Sequence, residues 1–333
     1  MITNMTLRRK LITGATAGLI MMTLPGIASA EFALADGITS GLVIEAEMPW
    51  ESTNTESAGD IAVTNIEFSL NIEPVDGVTG NATFKWEGAG VDVDEATISL
   101  HDLLNENFYL ETGLKGIPFG VFNSHMVSDP LVKELADAKE TVIQLGYSID
   151  MFEVAAGVFN GNIDESDADN KPDNFFASAA FVPFAGTSTS ISWISDMGEA
   201  GLEDYFSTLP DSTPYMNVAG IDLGLSSELG LFTVELEYVT ALEEWQSHPG
   251  SSDPIKPSSW NTEVACSLND IYGIAVRYEG SSDFPGQPEA RYGVAGNFQI
   301  RENLSLSLEY LIADFDNNDD DPSTITAKLA LEI

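Results

Sequence analysis

Sixteen segments of this chain alternate apolar and polar residues with a period of two, and this pattern limits the folds that the chain can adopt. A β-strand places successive side chains on opposite faces, so each segment offers one apolar and one polar face. Phe232, Leu236 and Tyr238 lie on one face of such a segment, for example, and Glu235 and Glu237 lie on the other. The pattern predicts strands at 38–48, 62–73, 78–87, 94–101, 107–115, 141–149, 151–159, 174–182, 187–195, 215–226, 231–240, 261–269, 271–280, 290–300, 303–313 and 324–333.

The lengths of the segments and of their connections indicate how these strands are arranged. Each segment is about ten residues long, the length that a tilted strand needs to cross a bilayer. Short turns and long loops alternate along the chain, as in transmembrane barrels with short periplasmic turns and long outer loops. A soluble β-sandwich also alternates within its strands, but it has no reason to alternate its connections. We therefore predict an all-β fold, a transmembrane antiparallel up-and-down β-barrel of about 16 strands.

Aromatic residues and the last segment support the same fold. Trp50, Trp86, Trp193 and Trp260 each fall at the long-loop end of a predicted strand, and such rings settle at membrane interfaces. The segment that ends at Ile333 alternates to the final residue, which is typical of a strand read by the outer-membrane barrel assembly machinery, although an aromatic residue is usual there. The expected partners are therefore this machinery and outer-membrane lipid.

The N-terminal residues predict export from the cytoplasm. Residues 8–10 are basic, residues 11–27 are apolar and small, and Ala-Ser-Ala at 28–30 is typical of a cleavage site. We predict a signal peptide at 1–30 and a barrel at 31–333. Together with the strand pattern, this predicts localisation in the outer membrane of a Gram-negative bacterium.

Charge and cysteine content exclude several functions. The chain has 53 Asp and Glu against 13 Lys and Arg, a net charge of −40, so it would repel nucleic acid. The acidity fits either solubility in a saline habitat or attraction of cations at a pore mouth. Cys266 is the single cysteine, so no internal disulfide can form, and its place in a strand predicts a small apolar side chain.

The chain lacks the common signatures of catalysis and metal binding. The three histidines, His101, His125 and His248, have no spacing that suggests a metal cluster. Neither G-x-S-x-G nor H-E-x-x-H occurs, and the acidic segments 160–173 and 314–321 lack the spacing of a calcium loop. We therefore predict no enzymatic activity, no cofactor and no metal.

The stretch 116–140 interrupts the series of strands, and a connection of this length usually has a function. Its apolar residues need burial, and a loop that reached into solvent would leave them exposed. We predict that it folds into the lumen, with a helix at 131–139 that Asp129 caps and Pro130 begins. A surface loop with a short helix is the alternative. The predicted constriction residues are Phe119, Phe122, His125, Asp129, Lys133, Glu134, Asp137 and Lys139.

If the apolar faces of the strands meet lipid, the charges on the opposite faces point into the lumen. The predicted lumen-facing charges include Lys85, Glu235, Glu237, Arg277, Arg291 and Lys328. Acidic outer loops would favour cations, whereas a basic strip formed by the arginines and Lys328 would favour anions. Opposed charges would orient a zwitterionic or anionic solute, and an ordinary polar lumen is the alternative.

One part of the chain resembles a known family. The runs 108–113, 118–122, 125–131 and 133–135, together with Val-Phe-Asn-Gly at 158–161, resemble the LbtU-type siderophore porin family. The resemblance implies an outer-membrane barrel with a role in iron–siderophore uptake that needs no TonB-type plug. Ala-Asp-Ala-Lys at 136–139 departs from the charged run expected of that family, and this departure bears on the substrate.

Three functions follow from these observations. The first is a porin for small hydrophilic solutes, with a ferric siderophore as the substrate that the resemblance implies, and such a barrel could form a homo-oligomer. The second is a general or ion-selective porin of the same fold. The third is a secreted β-sandwich adhesin or hydrolase. A TonB-dependent receptor needs about 22 strands and a plug, which a chain of 333 residues cannot supply.

Overall fold

The computed structural model describes residues 32–333 except 54, 89, 105–106, 164–171, 209–214, 250–252 and 316–320. The predicted signal peptide at 1–30 lies outside the described residues and stays a prediction.

Strands account for most of the described chain, and two short α-helices and one 3-10 helix lie in its loops. The strands are β1 (Phe32–Ala35), β2 (Ile38–Ser52), β3 (Ser57–Gly59), β4 (Ala62–Val75), β5 (Val78–Trp86), β6 (Val91–His101), β7 (Phe108–Gly116), β8 (Lys139–Ile149), β9 (Phe152–Phe159), β10 (Asn174–Phe184), β11 (Thr187–Ile194), β12 (Gly220–Leu229), β13 (Phe232–Ala241), β14 (Ser258–Ser267), β15 (Tyr272–Ser282), β16 (Ala290–Arg301), β17 (Leu304–Asp314) and β18 (Ser323–Glu332). The helices are α1 (Leu131–Ala136), α2 (Glu203–Phe206) and the 3-10 helix Met197–Glu199.

Within the described residues, sixteen of these strands form one closed antiparallel barrel in which each strand pairs with the next. The barrel closes where β18 pairs with β2, from Ser323 opposite Ser52 to Glu332 opposite Val43. The short strands β1 and β3 are additions that pair with the two ends of β2. A closed barrel leaves no free sheet edge. The predicted fold is therefore confirmed.

The predicted and observed strands differ mainly at their ends. The strand predicted at 215–226 begins only at Gly220. The preceding residues pack in a loop instead, where Val218 is buried and the carbonyl of Met216 accepts a hydrogen bond from Trp245 Nε1 at 2.9 Å. The apolar pattern of 215–219 thus reflects burial against other loops and not a strand.

The outward faces of the strands carry large apolar side chains that are exposed. Leu223, Leu236, Val276 and Leu308 are 41–53% exposed although each lies within a strand. An apolar surface that surrounds the barrel far exceeds the patches found on soluble proteins, and it matches the lipid-facing belt of an outer-membrane barrel. No described helix combines the length and the apolar character needed to cross a membrane.

The buried apolar cluster lies inside the barrel at the ends of the strands that carry long loops. Inward side chains of the wall, such as Phe176 of β10 and Ile194 of β11, pack there against loop residues. The loop residues Phe119, Met197 and Trp245 are all fully buried. The described parts of the loops after β7, β11 and β13 therefore fold back into the lumen and fill part of its outer half.

Candidate functional site

The strand register brings the inward charges of neighbouring strands into rows on one half of the inner wall. Glu235 of β13 lies opposite Glu263 of β14, which lies opposite Arg277 of β15. A second row contains Glu279 of β15 opposite Arg291 of β16. The side chains of Glu263, Arg277 and Glu279 are at most 2% exposed, because the segment 117–138 between β7 and β8 covers them. We call this segment the lumen loop.

Four glutamates of the inner wall accept hydrogen bonds from backbone N–H groups of the lumen loop. We call Glu237, Glu263, Glu279 and Glu309 the loop-binding glutamates. Glu237 accepts from Val121 at 2.6 Å and from Phe122 at 2.9 Å. Glu309 accepts from Val127 at 2.7 Å and from Ser128 at 3.1 Å. The N–H of Leu131 donates to Glu279 at 2.6 Å.

These contacts fix the path of the loop along β13, β14, β15 and β17. Hydrogen bonds to ionised carboxylates are roughly twice as strong as those between neutral groups. Phe122 has a φ of +54°, in the left-handed region that a bulky residue rarely adopts. Its N–H is held by the Glu237 carboxylate, so the contact with the wall offsets the cost of this backbone conformation.

Arg277 binds both to the wall and to the loop. Its Nε lies 3.1 Å from Glu263 Oε2, and its Nη1 lies 3.5 Å from Glu279 Oε1. The same Nη1 donates to the carbonyl oxygen of Asp129 at 3.3 Å. Arg277 is 2% exposed, so it is removed from the lumen although it points inward.

Arg291 joins the wall to the lumen loop in the same way. Its Nε donates to Glu279 Oε1 at 2.9 Å, and its Nη1 donates to Glu134 Oε1 at 3.0 Å. Its Nη2 donates to the carbonyl oxygen of Asp129 at 2.8 Å. The two arginines that were expected to offer positive charge to a solute are therefore occupied in attaching the loop.

The helix of the lumen loop differs from the prediction at both ends. It spans Leu131–Ala136, and Pro130 is its N-cap in an extended conformation. The predicted cap Asp129 instead pairs with Lys133 Nζ at 2.9 Å. A carboxylate of the wall, Glu279, binds the N–H of Leu131, so no local side chain is needed there. Beyond the helix the chain turns extended and enters β8 at Lys139.

The predicted constriction residues fall into two groups. Phe119 lies in the buried cluster, Phe122 packs against that cluster, and Glu134 binds Arg291. His125 is mostly buried, with its Nε2 3.8 Å from Glu235 Oε1. The second group is solvent-accessible and consists of Asp129, Lys133, Asp137 and Lys139. Lys139 Nζ pairs with Asp94 of β6, across the base of the loop.

The opposite half of the inner wall, formed by β2, β4, β5, β6 and β18, is accessible. Its inward charges include Glu45, Glu47, Glu67, Lys85, Glu95 and Lys328, all of which are half-buried. Lys328 Nζ lies 3.2 Å from Glu45 Oε1, and Lys85 Nζ lies 2.8 Å from Glu87 Oε1. Each of these two lysines is thus paired with a carboxylate, whereas Glu47 and Glu67 add further negative charge. We call this surface the open wall.

Some residues of the site were missed by reasoning from the sequence. Glu263 and Glu279 were not among the predicted lumen-facing charges, although Glu279 follows Arg277 by two positions and therefore shares its face. Trp245 and the helices of the loop after β11 were not expected inside the barrel. The only sequence signal for their burial is an excess of apolar residues in a long loop. This signal does not reveal which residues they pack against.

The fold defines the class of protein. A closed barrel with an apolar outer belt and a long loop inside the lumen is the architecture of porins that span the outer membrane of Gram-negative bacteria. Among solved structures, an anion-selective porin from Comamonas acidovorans matches with a TM-score of 0.66 and 10% identity, over 89% of this chain and 99% of that chain. The outer membrane channel DcaP of Acinetobacter baumannii matches with a TM-score of 0.65 and 9% identity, over 91% and 99%. OprB of Pseudomonas putida matches with a TM-score of 0.64 and 9% identity, over 89% and 94%.

The sequence comparisons are less specific. No protein-family model matches the chain. A UPF0422 protein of Coxiella burnetii (strain RSA 493 / Nine Mile phase I) is 22% identical over 296 residues, which covers 80% of this chain. This chain spans 62% of the length of that relative. The comparisons therefore establish a porin-type barrel and leave the solute to be inferred from the site.

Proposed function

We propose that this chain is an outer-membrane porin that passes small hydrophilic solutes and prefers cations. The observation that carries the proposal is the contrast between the two halves of the inner wall. The lumen loop covers the half that contains the loop-binding glutamates, whereas the open wall remains accessible to solvent. Solutes would therefore pass between the loop and the open wall.

The distribution of charge supports the preference for cations. Arg277 and Arg291 lie under the loop and are paired with carboxylates, so they add little positive potential to the path. Glu47 and Glu67 project from the open wall, and the exposed carboxylate of Asp129 lies on the loop. Carboxylates that line a narrow path attract cations and repel anions. The basic strip considered from the sequence would therefore have little effect on selectivity.

Ferric siderophores are the more specific substrate that we propose. The support is the resemblance of residues 108–161 to the LbtU-type siderophore porins, since these residues form β7, the lumen loop, β8 and β9. An acidic path disfavours strongly anionic complexes, so the siderophore would be neutral, zwitterionic or cationic. In the described residues the lumen is narrowed by a loop and not by a separate plug, which fits uptake without a TonB-type receptor.

Planar bilayers that contain the purified protein test both parts of the proposal. In a KCl gradient we expect a reversal potential that corresponds to cation preference. The double variant Glu47→Gln/Glu67→Gln should reduce it, because two carboxylates of the open wall are neutralised. Glu302→Gln, at the exposed turn between β16 and β17, is the matched control and should leave it unchanged.

An anion-preferring wild-type channel would overturn the proposed selectivity and leave the porin function standing. A neutral ferric siderophore should block the single-channel current transiently, whereas a strongly anionic one should not. The absence of block by any ferric siderophore would remove the siderophore part alone. A protein that forms no channels would overturn the whole proposal.

A further inference from the structure

A cavity of about 100 Å³ lies between the beginning of the lumen loop and the inner faces of β7 to β12. Its roof is formed by Pro118, Gly120 and Val121 of the loop. None of the strands that line it belongs to the open wall. We call this cavity the niche.

Serine hydroxyls line one wall of the niche. The register pairs Ser178 with Ser192, and Ser188 with Ser226, so these side chains share the inner face of β10, β11 and β12. Ser190 lies between them on β11. Ser226 already donates to Glu235 Oε1 at 2.8 Å, and Ser192 accepts from the N–H of Gly120. The wall carries no charge, and its hydroxyl groups can both donate and accept hydrogen bonds.

The niche is closed at the end that faces the long loops. Phe176 and Ile194, the next inward residues on β10 and β11, are 2% and 0% exposed in the buried cluster. Gly120 N donates to Ser192 Oγ at 3.1 Å and closes the roof against the wall. A solute that entered from the short-turn end would therefore be held there and would not pass through.

Two oxygens that line the niche, one on each wall, have no hydrogen-bond partner within the described residues. Gln144 is fully buried, its Nε2 donates to Tyr109 Oη at 3.3 Å, and its Oε1 has no partner. Ser190 Oγ is also buried without a partner. The single carboxylate that lines the niche, Glu153, already accepts from Tyr109 Oη at 2.8 Å. A ligand that complements this site would donate hydrogen bonds and would carry no negative charge, because the Glu153 carboxylate lines the same cavity.

We propose that the niche binds a small neutral polyol. A buried water needs at least about 10–15 Å³ of space for its centre, so the cavity has room for several waters or for a small polyol that replaces them. The hydroxyls of such a molecule would donate to Gln144 Oε1 and Ser190 Oγ and would accept from serine hydroxyls of β10 and β11. This assignment does not depend on the proposed channel function.

Binding is tested on the full-length barrel in a detergent whose head group contains no hydroxyls. Glycerol is titrated and followed by saturation-transfer NMR, with 1-propanol as the probe that matches its carbon chain but lacks two hydroxyls. We expect saturable binding of glycerol and much weaker binding of 1-propanol. Ser190→Val and Gln144→Leu should each weaken glycerol binding by about tenfold, because each removes a hydrogen-bond partner in the niche.

Ser305→Val changes an inward serine of β17 outside the niche and should bind glycerol as the wild type does. Heat-modifiable migration on gels verifies that each variant is folded. Equal binding of 1-propanol would show that the niche is an unspecific cavity, and unchanged glycerol binding in both folded niche variants would overturn the site. Lack of saturation in the wild type would overturn it as well.

Discussion

Residues of the same type serve different purposes on the two halves of the barrel wall. Glu309 is 3% exposed and holds two backbone N–H groups of the lumen loop. Glu67 is half-buried on the open wall, where its charge is accessible to solvent. The two glutamates differ in exposure because the lumen loop covers Glu309 and leaves Glu67 uncovered. The difference does not come from the residue type or the strand.

The loop-binding glutamates should control the stability of the lumen loop. Glu309→Gln replaces an ionised acceptor by a neutral one, and hydrogen bonds to charged groups contribute about 1 kcal/mol more than neutral ones. We expect faster hydrogen exchange at Val127 and Ser128, by about a factor of five to ten. Glu302→Gln is the control. If Val127 and Ser128 exchange in Glu309→Gln as slowly as in the wild type, the contact with Glu309 does not hold the loop.

A charged residue should destabilise the barrel on the outward faces of the strands, whereas the inner faces should tolerate it. Leu308 is 53% exposed near the middle of β17, on the face that meets lipid. Leu308→Arg should reduce the free energy of unfolding in lipid vesicles by about 2–4 kcal/mol, because a charge would enter the hydrocarbon. Ser69→Arg, on the inner face near the middle of β4, is the control and should have little effect. Similar losses for both variants would contradict the assigned faces.

At the scale of elements, residues 195–208 and 215–219 of the connection between β11 and β12 form a small folded unit outside the strands. Its 3-10 helix begins beside Asp196, whose Oδ1 accepts from Tyr215 Oη at 2.7 Å and from Gly198 N at 3.0 Å. Burial raises the pKa of Asp196 to about 7, although both hydrogen bonds lower it. Burial also raises the pKa of the adjacent Glu199.

This raised pKa predicts a pH-dependent stability of the unit. The pKa of Asp196 is higher in the folded state than the ordinary value of 3.8, so folding favours the protonated carboxyl. The stabilisation is complete at low pH and is lost as the pH rises through about 7. The protection from hydrogen exchange in residues 196–207, measured relative to the unfolded peptide at the same pH, should therefore be greater at pH 5 than at pH 8. Asp196→Asn should reduce this dependence, and an unchanged pH profile would contradict the role of Asp196.

At the scale of the whole molecule, the lumen loop divides the barrel into an accessible half and a filled half. Deletion of residues 121–136 removes most of the loop and uncovers the wall formed by β13 to β17. We expect the single-channel conductance to rise several-fold, because the lumen loop would no longer narrow the path for ions. The deletion variant must first migrate as a folded barrel. An unchanged conductance in such a variant would mean that the loop does not limit the pore.

The sequence by itself determined the membrane-spanning barrel, most of its strands and, for most strand residues, the face on which the side chain lies. These features follow from local rules. A period of two places alternate residues of a strand on the same face, and the alternation of short and long connections distinguishes the two ends of the barrel. The inward direction of Arg277 and Glu237 could be read in this way. The tertiary structure decided which inward charges remain accessible. That outcome depends on contacts between residues far apart in the chain, such as Glu309 with Val127, which no local pattern encodes.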